Sequence, residues 1–557
     1  MQEQPNPTAP VPPRARRRAV DPALALLVAI SLAINVCGIT WGLPNVVDWA
    51  IDSIAPLGPL AYVHQMLHGG HWWTKYPSLH FTVLTIVDAP YLALLAARGT
   101  LHTIVPRFPY GLTEPAESLG TLVLIARLVS ATMSAGATAA AFYLGRALHG
   151  RRAGFIGGLL FAASPLTVYY SGTGNLDIPY LFWSSLAFVA LVRVARGAAS
   201  GAYVALGVFS ALAVATKDQA YGLFILLPIP LVIGRVREHG WAGLRDRRLL
   251  AGLVAAVATY AVAANVLVDW AGWTAHLRYI THEGSAPYQM FPQSAAGYVD
   301  LATRTWRLTV DSATWPMVLL ATVGGIWAVV HRVRGAGMLM LAPVSYFASF
   351  IVPILYVFPR FVLPAVFVLA VFAGVGSACL WETRSAWARV TVAAAVGYVV
   401  LVGGSMNLGL LLDSRYAAES WMDRSLPPDA IVGTNGDPTY LPRLPFGVRS
   451  ITVDIGPDGL VLHGAPPDFL VFSDAYYRRH LRHADTRPIV RELFAGRLEY
   501  ERVATFHRRW LPATDLIPTL NPRIVILRRR HEGTCNDKMA AVRIRAATYS
   551  PCNSART

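Results

Sequence analysis

The chain has 557 residues, of which 54% are hydrophobic and only 14% are charged. An ordinary globular domain carries about 25% charged and about 45–50% apolar residues, so this composition excludes a soluble globular protein, a disordered chain and a secreted disulfide scaffold. The net charge of +16 does not indicate nucleic-acid binding. The basic residues fall between apolar blocks, where their positions indicate on which side of the membrane each loop lies.

The chain begins with a Pro-rich and then basic segment, 1–21, which predicts a disordered cytoplasmic tail. Twelve apolar blocks follow, most of them about 16 to 25 residues long, the length of a helix that crosses a hydrocarbon layer. No small-residue cleavage site follows the first block, which is therefore expected to be a permanent anchor. The blocks lie near 22–41, 80–98, 119–145, 154–170, 180–196, 202–216, 219–234, 249–268, 314–331, 337–356, 361–381 and 388–407.

Arginine placement predicts the orientation of these blocks, because short cytoplasmic loops collect Lys and Arg. The N-terminal tail and the basic loops near 146–152, 193–196, 235–248 and 332–334 are all expected inside. They can share one side only if 80–98, which contains Asp88 and Pro90, lies along the outer surface or re-enters it. This predicts about eleven spanning helices, with a simple crossing of 80–98 as the alternative.

The polar region 409–557 predicts a small extracytoplasmic α/β domain. It follows a transmembrane domain, 22–408, whose first outer loop is 42–118. Three short β-like runs carry the prediction of a sheet: AIVGTN (430–435), DFLVFSD (468–474) and RIVILRR (523–529). The expected fold is a polytopic α-helical membrane protein with outer juxtamembrane helices, placed in the plasma membrane with its N-terminus inside.

Cysteine and histidine usage gives no strong metal signal. Cys535 and Cys552 fall in the outer tail, where disulfides persist, and are expected to pair. His64, His68 and His71 recur at helical spacing, but no acidic residue stands beside them in the sequence. A polar interfacial face is therefore preferred to a metal site.

Three acids in the predicted outer segments are candidates for the chemistry. Asp48 and Asp52 lie four residues apart in the first outer loop, so they would share one face if the stretch were helical. Asp177 lies between two spanning blocks. Two carboxylates at a membrane surface could act as a base and its partner, bind a cation, or be solvated loop acids.

The cations on the same predicted side point to an anion pocket. The chain has three lysines, Lys75, Lys217 and Lys538, and all its other basic residues except histidine are arginine. Lys75 and Lys217 stand at predicted outer helix ends, where a compact ammonium suits a phosphate, and Arg360 begins a predicted span. Chance placement of the lysines is the alternative.

The order of these motifs resembles a family. In chain order, the motifs are an acidic first loop, a Lys-Tyr-Pro-x-Leu-His turn (75–80), a Leu-Asp-x-Pro loop (176–179), a Lys between short helices and an Arg-Phe-x-Leu-Pro helix start (360–364). Together they resemble GT-C class glycosyltransferases, specifically the protein O-mannosyltransferase and aminoarabinose-transferase-like group. The stretch 49–56 is similar to Trp-x-x-Asp-Glu-x-x-Pro and aligns Asp52 with the first acid, whereas Ser53 stands where the second acid is usual.

The resemblance implies transfer of a sugar from a polyprenyl-phosphate donor to a protein, lipid or glycan acceptor at the outer surface, with inversion at the anomeric carbon. No cofactor is expected, and whether a divalent metal is needed is left open. The partners would be these substrates and membrane lipid, without nucleic acid. The predicted catalytic residues are Asp52 as base, Asp177 as second acid and Asp48; the predicted substrate-binding residues are Lys75, Tyr76, His80, Lys217 and Arg360.

Two functions of other classes compete with this interpretation. A flippase or transporter would show functional charges near mid-bilayer and, often, internal repeats with broken helices, and neither pattern stands out in the sequence. If the membrane part only anchored a C-terminal binding domain, the acids Asp48, Asp52 and Asp177 in the outer loops would have no explanation.

Overall fold

A computed structural model describes residues 21–72, 75–105, 107–508, 516–530 and 545–546. Helices make up most of this part of the chain. The α-helices are α1 (Pro22–Val36), α2 (Leu57–Leu67), α3 (Leu79–Ala97), α4 (Pro115–Leu148), α5 (Arg151–Ala162), α6 (Pro165–Ser171), α7 (Asp177–Ala195), α8 (Ser200–Thr216), α9 (Tyr221–Phe224), α10 (Pro228–His239), α11 (Arg247–Ala263), α12 (Trp270–Arg278), α13 (Ala295–Ala313), α14 (Trp315–Val330), α15 (Ala336–Tyr346), α16 (Val352–Ile354), α17 (Leu363–Glu382), α18 (Ala386–Leu411), α19 (Ser414–Ser425), α20 (Asp474–Tyr477) and α21 (Arg487–Phe494).

The C-terminal region folds around a mixed sheet in the order β5-β6-β4-β1-β2-β3-β7. β1 runs parallel to both β2 and β4, and β6 runs antiparallel to β4 and β5. Its strands are β1 (Ile431–Asn435), β2 (Arg449–Gly456), β3 (Gly459–Leu462), β4 (Phe469–Ser473), β5 (Tyr500–Phe506), β6 (Ile524–Arg529) and β7 (Arg545–Ala546). The three runs predicted to be strands form β1, β4 and β6, at the centre of this sheet.

The described residues contain seven helices long and apolar enough to cross a membrane, or nine if each of two bent helix pairs counts as one span. Together with the C-terminal sheet, they confirm the predicted polytopic helical membrane fold with a small α/β domain. The number of eleven crossings stays a prediction. Residues 1–20 of the tail predicted at 1–21, and the predicted Cys535–Cys552 pair, lie outside the described residues.

Helix α17 forms the centre of the helical part because small residues let its neighbours approach. A Cβ added at Gly374 would lie 2.2 Å from the carbonyl oxygen of Ala153 in α5. A Cβ at Gly376 would lie 2.0 Å from the carbonyl oxygen of Leu320 in α14. Close backbone approach at small residues is how helices pack in a membrane, where lipid contributes no hydrophobic drive.

We therefore expect Gly374→Ala to destabilise the protein in detergent, by about 1–3 kcal/mol as for other overpacked cores. The control is Gly397→Ala in α18, because a Cβ there meets nothing within 4 Å. Thermal unfolding followed by tryptophan fluorescence should show a lower midpoint for Gly374→Ala only. Equal midpoints for the two variants would contradict the packing argument.

Three predicted inner segments meet at one end of the helical part, where Arg196 donates to the carbonyl oxygen of Ala147. Asp21, which caps α1, forms ion pairs with Arg146 and Arg151. The guanidinium of Arg152 lies 5.8 Å from the ring centre of Trp381, at the end of α17. The predicted outer segments gather at a cavity described below. The structure thus groups the start of α1 with the loops near 146–152 and 193–196, as the arginine pattern predicts, while the assignment of either end to the cytoplasm stays a prediction.

Helix α3 follows the first outer loop along its whole length. Near its start, Phe81 and Leu84 pack in one cluster with Ile54 and Tyr62. Near its end, Leu95 packs in one cluster with Leu60, Val46 and Leu119. Helix α3 is also long and apolar enough to span, so the outer-surface placement of 80–98 stays a prediction.

A buried polar cluster fastens the C-terminal domain to the first outer loop. The Asp413 carboxylate accepts hydrogen bonds from the Trp41 indole (3.0 Å) and the Arg415 guanidinium (2.8 Å). Arg415 also lies 3.9 Å from the ring centre of Trp49 and donates to the carbonyl oxygen of Thr519. Asp413 and Arg415 are both fully buried. A buried ion pair is stable only when further hydrogen bonds offset the loss of water, and the contacts to Trp41 and Thr519 supply them.

Candidate active site

The first outer loop is not helical between residues 45 and 56, so the condition under which Asp48 and Asp52 would share a helix face is not met. Asp52 has a φ of 59°, a left-handed conformation that short polar residues such as Asp adopt more readily than most. This turn sends the two carboxylates in different directions. Asp52 faces a cavity, whereas Asp48 turns into the protein.

Asp48 is bound in the interior by Arg127 of helix α4. The distance from Asp48 Oδ1 to Arg127 Nη2 is 2.6 Å, and the two side chains are 4% and 0% exposed. Arg127 also donates to the carbonyl oxygens of Ile39 and Trp41, each at 2.7 Å. Asp48 therefore holds the loop against α4 and does not line the cavity.

We expect Asp48→Ala to act on folding, because breaking a buried ion pair leaves Arg127 charged without its partner and costs about 3–5 kcal/mol. The unfolding midpoint in detergent should fall markedly, whereas Asp300→Ala, at an exposed position on α13, should leave it unchanged. A variant that keeps the wild-type midpoint but loses turnover would instead make Asp48 a catalytic residue.

Asp52 forms an ion pair with Arg360 across the cavity wall. Arg360 Nη1 donates to Asp52 Oδ2, and the two side chains are 17% and 26% exposed. Arg360 belongs to a 3₁₀ turn, Pro359–Val362, and its guanidinium packs against the rings of Phe358 and Phe361 at 4.9 and 5.4 Å. Among the described residues only Oδ2 of Asp52 is bonded, so Oδ1 remains for a substrate.

A second ion pair joins Asp177 and Lys217. Lys217 Nζ lies 2.8 Å from Asp177 Oδ1, with the side chains 8% and 1% exposed. Asp177 begins α7 and Lys217 directly follows α8, so the ion pair joins the start of α7 to the end of α8. Lys217 lines the cavity and Asp177 does not.

The turn that carries Asp52 depends on a glycine in the loop before α7. Ile54 donates its backbone N–H to the carbonyl oxygen of Gly174 at 3.1 Å, and the Asn175 side chain donates to that of Ile51 at 2.8 Å. A Cβ at Gly174 would lie 2.6 Å from the Ser53 hydroxyl. The loop therefore approaches the turn closely, and Ser53, which stands at the usual position of the second acid, faces this loop.

These residues surround a cavity of about 1050 Å³ between the ends of the helices and the C-terminal domain. Five of the eight predicted site residues line it: Asp52, Lys75, Tyr76, Lys217 and Arg360. His80 does not, because it is buried in α3 with its Nδ1 atom lacking a partner among the described residues. Burial, and then the negative charge of Asp52, raise the pKa of Tyr76, so this hydroxyl stays a hydrogen-bond donor.

Lys75 is the cavity lysine that keeps its charge uncompensated: within the described part of the chain it forms no ion pair, and its Nζ lies 5.5 Å from the ring centre of Tyr76. The two other predicted cations are paired with acids, as described above. Of the three predicted cations, Lys75 is therefore the one most available to an incoming anion.

The structure adds lining residues that the sequence pattern does not reveal. Asp218 follows Lys217 directly and binds His276 at 3.0 Å. Arg304 and Asp311 lie on the face of α13 toward the cavity, and Arg482 enters from the C-terminal domain. Only Asp218 stands beside a predicted site residue in the sequence; the others carry no local signal. Tyrosines supply much of the remaining wall: Tyr169, Tyr170, Tyr221, Tyr279, Tyr288, Tyr356 and Tyr440.

The histidines of the first outer loop do not converge on a metal. The rings of His64 and His68 stack at 4.3 Å, while His71 binds Asp269 at 2.7 Å. No group of three His, Cys, Asp or Glu side chains suited to a metal occurs among the described residues. The acidic partner of His71, absent from its neighbourhood in the sequence, comes from a residue 198 positions away.

Comparison with known proteins supports the resemblance found in the motifs. Residues 119–266 match the family described as dolichyl-phosphate-mannose-protein mannosyltransferase. This confirms the predicted resemblance over a segment that includes Asp177 and Lys217. No curated protein sequence matches the chain.

Several solved structures are similar to the chain at low sequence identity. ArnT from Cupriavidus metallidurans, bound to undecaprenyl phosphate, shares 15% identity over 90% of this chain and 97% of its own, with a TM-score of 0.46. The archaeal oligosaccharyltransferase AglB from Archaeoglobus fulgidus, in complex with an inhibitory peptide and a dolichol-phosphate, shares 14% identity over 85% and 72%, with a TM-score of 0.46.

Proposed function

We propose that the chain is a membrane glycosyltransferase that moves a sugar from a polyprenyl-phosphate donor to an acceptor hydroxyl at the extracytoplasmic face. The observation that carries the proposal is the cavity, which brings the Asp52 carboxylate together with Lys75, Lys217 and Arg360 at the ends of membrane helices. A lipid-linked sugar phosphate has its reactive carbon at the membrane surface, which is where such a cavity can receive it. The matched family, by its description, also works with a lipid-phosphate sugar.

The residues divide into a base and a set of cations. Asp52 accepts the proton of the acceptor hydroxyl at Oδ1, and the acceptor oxygen forms a bond to the anomeric carbon. The bond from that carbon to the phosphate oxygen breaks, and its electron pair leaves with the polyprenyl phosphate. Lys75, Lys217 and Arg360 stabilise the negative charge on this leaving group. Attack opposite to the leaving group inverts the anomeric centre.

Asp177 has a supporting part in this scheme. Its carboxylate holds the Lys217 ammonium at 2.8 Å and thereby fixes where that charge meets the cavity. Tyr76, whose raised pKa keeps it protonated, can donate a hydrogen bond to a phosphate oxygen. Asp177 is thus proposed as a positioning residue for Lys217, while Asp52 alone takes the proton.

The test is sugar transfer by the purified full-length protein in detergent. A radiolabelled polyprenyl-phosphate sugar is supplied with membrane extract, and label is expected in a product that no longer carries the polyprenyl chain. A flippase would instead move the intact labelled lipid across proteoliposomes without transfer. Label that stays entirely on polyprenyl phosphate with active, folded protein would overturn the proposed function.

A further inference from the structure

Two arginines in the cavity have no place in the chemistry proposed above. Arg304 reaches it from α13, and Arg482 from the segment after α20 in the C-terminal domain. Both side chains belong to exposed residues, and neither forms an ion pair within the described part of the chain. They approach from elements other than those that carry the proposed donor-phosphate cations.

The acids of α13 do not neutralise Arg304: Asp300, one turn before it, is exposed and forms no ion pair with it within the described residues. Asp311 lies seven residues further along α13 and lines the same cavity. Seven residues correspond to about 10 Å along a helix axis, beyond the reach of a direct ion pair. The other lining acids are engaged, since Asp52 binds Arg360 and Asp218 binds His276.

A basic rim continues outward from Arg482. The segment 478–487 contains four arginines and a single acid, Asp485. Arg478 is paired with Asp474 at 2.7 Å, whereas Arg479 lies 3.4 Å from the ring centre of Tyr476 and is held over it. Positive charge at a cleft entrance raises the local concentration of anions and steers them inward.

We infer that the acceptor carries a phosphate or carboxylate near the hydroxyl that receives the sugar, and that Arg304 and Arg482 bind this group. The inference rests on the proposed function, and it names the chemical class of the acceptor. Arginine suits both anions, because its planar fork donates two parallel hydrogen bonds to their oxygens. The two residues lie on other elements than Lys75, Lys217 and Arg360, and the inference assigns the donor and acceptor anions to these two different sets of cations.

The first arm of the experiment measures the charge of the product. Label transferred from the polyprenyl-phosphate sugar to membrane extract should be retained on an anion exchanger at pH 7. Loss of retention after hydrofluoric acid identifies phosphate, and loss after carbodiimide coupling to a neutral amine identifies carboxylate. A neutral labelled product would overturn the inference while leaving the proposed function standing. Absence of any labelled product would instead reject the proposed function.

The second arm uses variants. Arg304→Ala and Arg482→Ala should each raise the apparent KM for membrane extract about tenfold or more, as expected for a lost charge-assisted contact, with the donor KM unchanged. Arg482→Lys should recover part of the loss. The matched controls are Arg307→Ala on α13 and Arg491→Ala on α21, exposed arginines that do not line the cavity. Equal effects of the controls, or a changed donor KM alone, would contradict the assignment.

Discussion

Asp52→Asn is expected to lower turnover by about 10²- to 10⁴-fold, the usual contribution of a positioned general base. Asparagine keeps the shape of the side chain but cannot take the acceptor proton. Donor binding should be preserved, because Lys75, Lys217 and Arg360 remain in place. Single-turnover transfer and a separate donor-binding assay in detergent measure the two quantities.

The matched control is Asp429→Asn, at an exposed position of the C-terminal domain outside the cavity, which should transfer sugar at the wild-type rate. Near-normal turnover by Asp52→Asn combined with an inactive, folded Asp177→Asn would move the base to Asp177. Retained turnover in both variants would place the reaction outside this cavity.

Arg360→Ala is expected to reduce kcat/KM by about 10²- to 10³-fold, the scale seen when one preorganised group that stabilises transition-state charge is removed. Arg360 holds charge beside the phosphate in both the ground state and the transition state, so the donor KM should rise while kcat falls. Arg360→Lys should be intermediate, because lysine keeps the charge but lacks the fork that reaches Asp52. Steady-state kinetics at varied donor concentration separate the two parameters.

The ion pair between Asp52 and Arg360 also predicts the behaviour of the double variant Asp52→Asn/Arg360→Ala. Because Arg360 bonds directly to Asp52, the double variant should lose less than the product of the two single losses. Arg424→Ala, at an exposed position on α19, serves as the unaffected control. A normal donor KM with a lowered kcat in Arg360→Ala would mean that Arg360 only orients Asp52 and does not bind phosphate.

The sequence predicted the membrane fold and the C-terminal domain because both depend on local signals. An apolar block of about twenty residues indicates a membrane helix wherever it occurs in a sequence. The short β-like runs form the central strands β1, β4 and β6. The order of motifs also selected Asp52, Lys75, Lys217 and Arg360, which the structure brings to one cavity. Their chemical roles remain predictions.

The pairing of charges could not be derived from the same signals. The four-residue spacing would place Asp48 and Asp52 on one face of a helix, yet a left-handed turn at Asp52 separates them and Arg127 binds Asp48 in the interior. Arg127 lies within an apolar block, where nothing in its neighbours marks a partner 79 residues away. His80 shares a motif with Lys75, but its side chain is buried in α3 and does not line the cavity.

By itself, therefore, the sequence determined which segments are apolar enough to cross a membrane, which form the centre of the C-terminal sheet and which loops concentrate charge, since hydropathy and strand patterns act over neighbouring residues. Only the tertiary structure decided which acid faces the cavity, which cations are already paired, and that α13 and the C-terminal domain contribute Arg304 and Arg482. The physical reason is distance along the chain: Asp52 and Arg360 are 308 residues apart, and they meet because the packing of the intervening helices places their ends together.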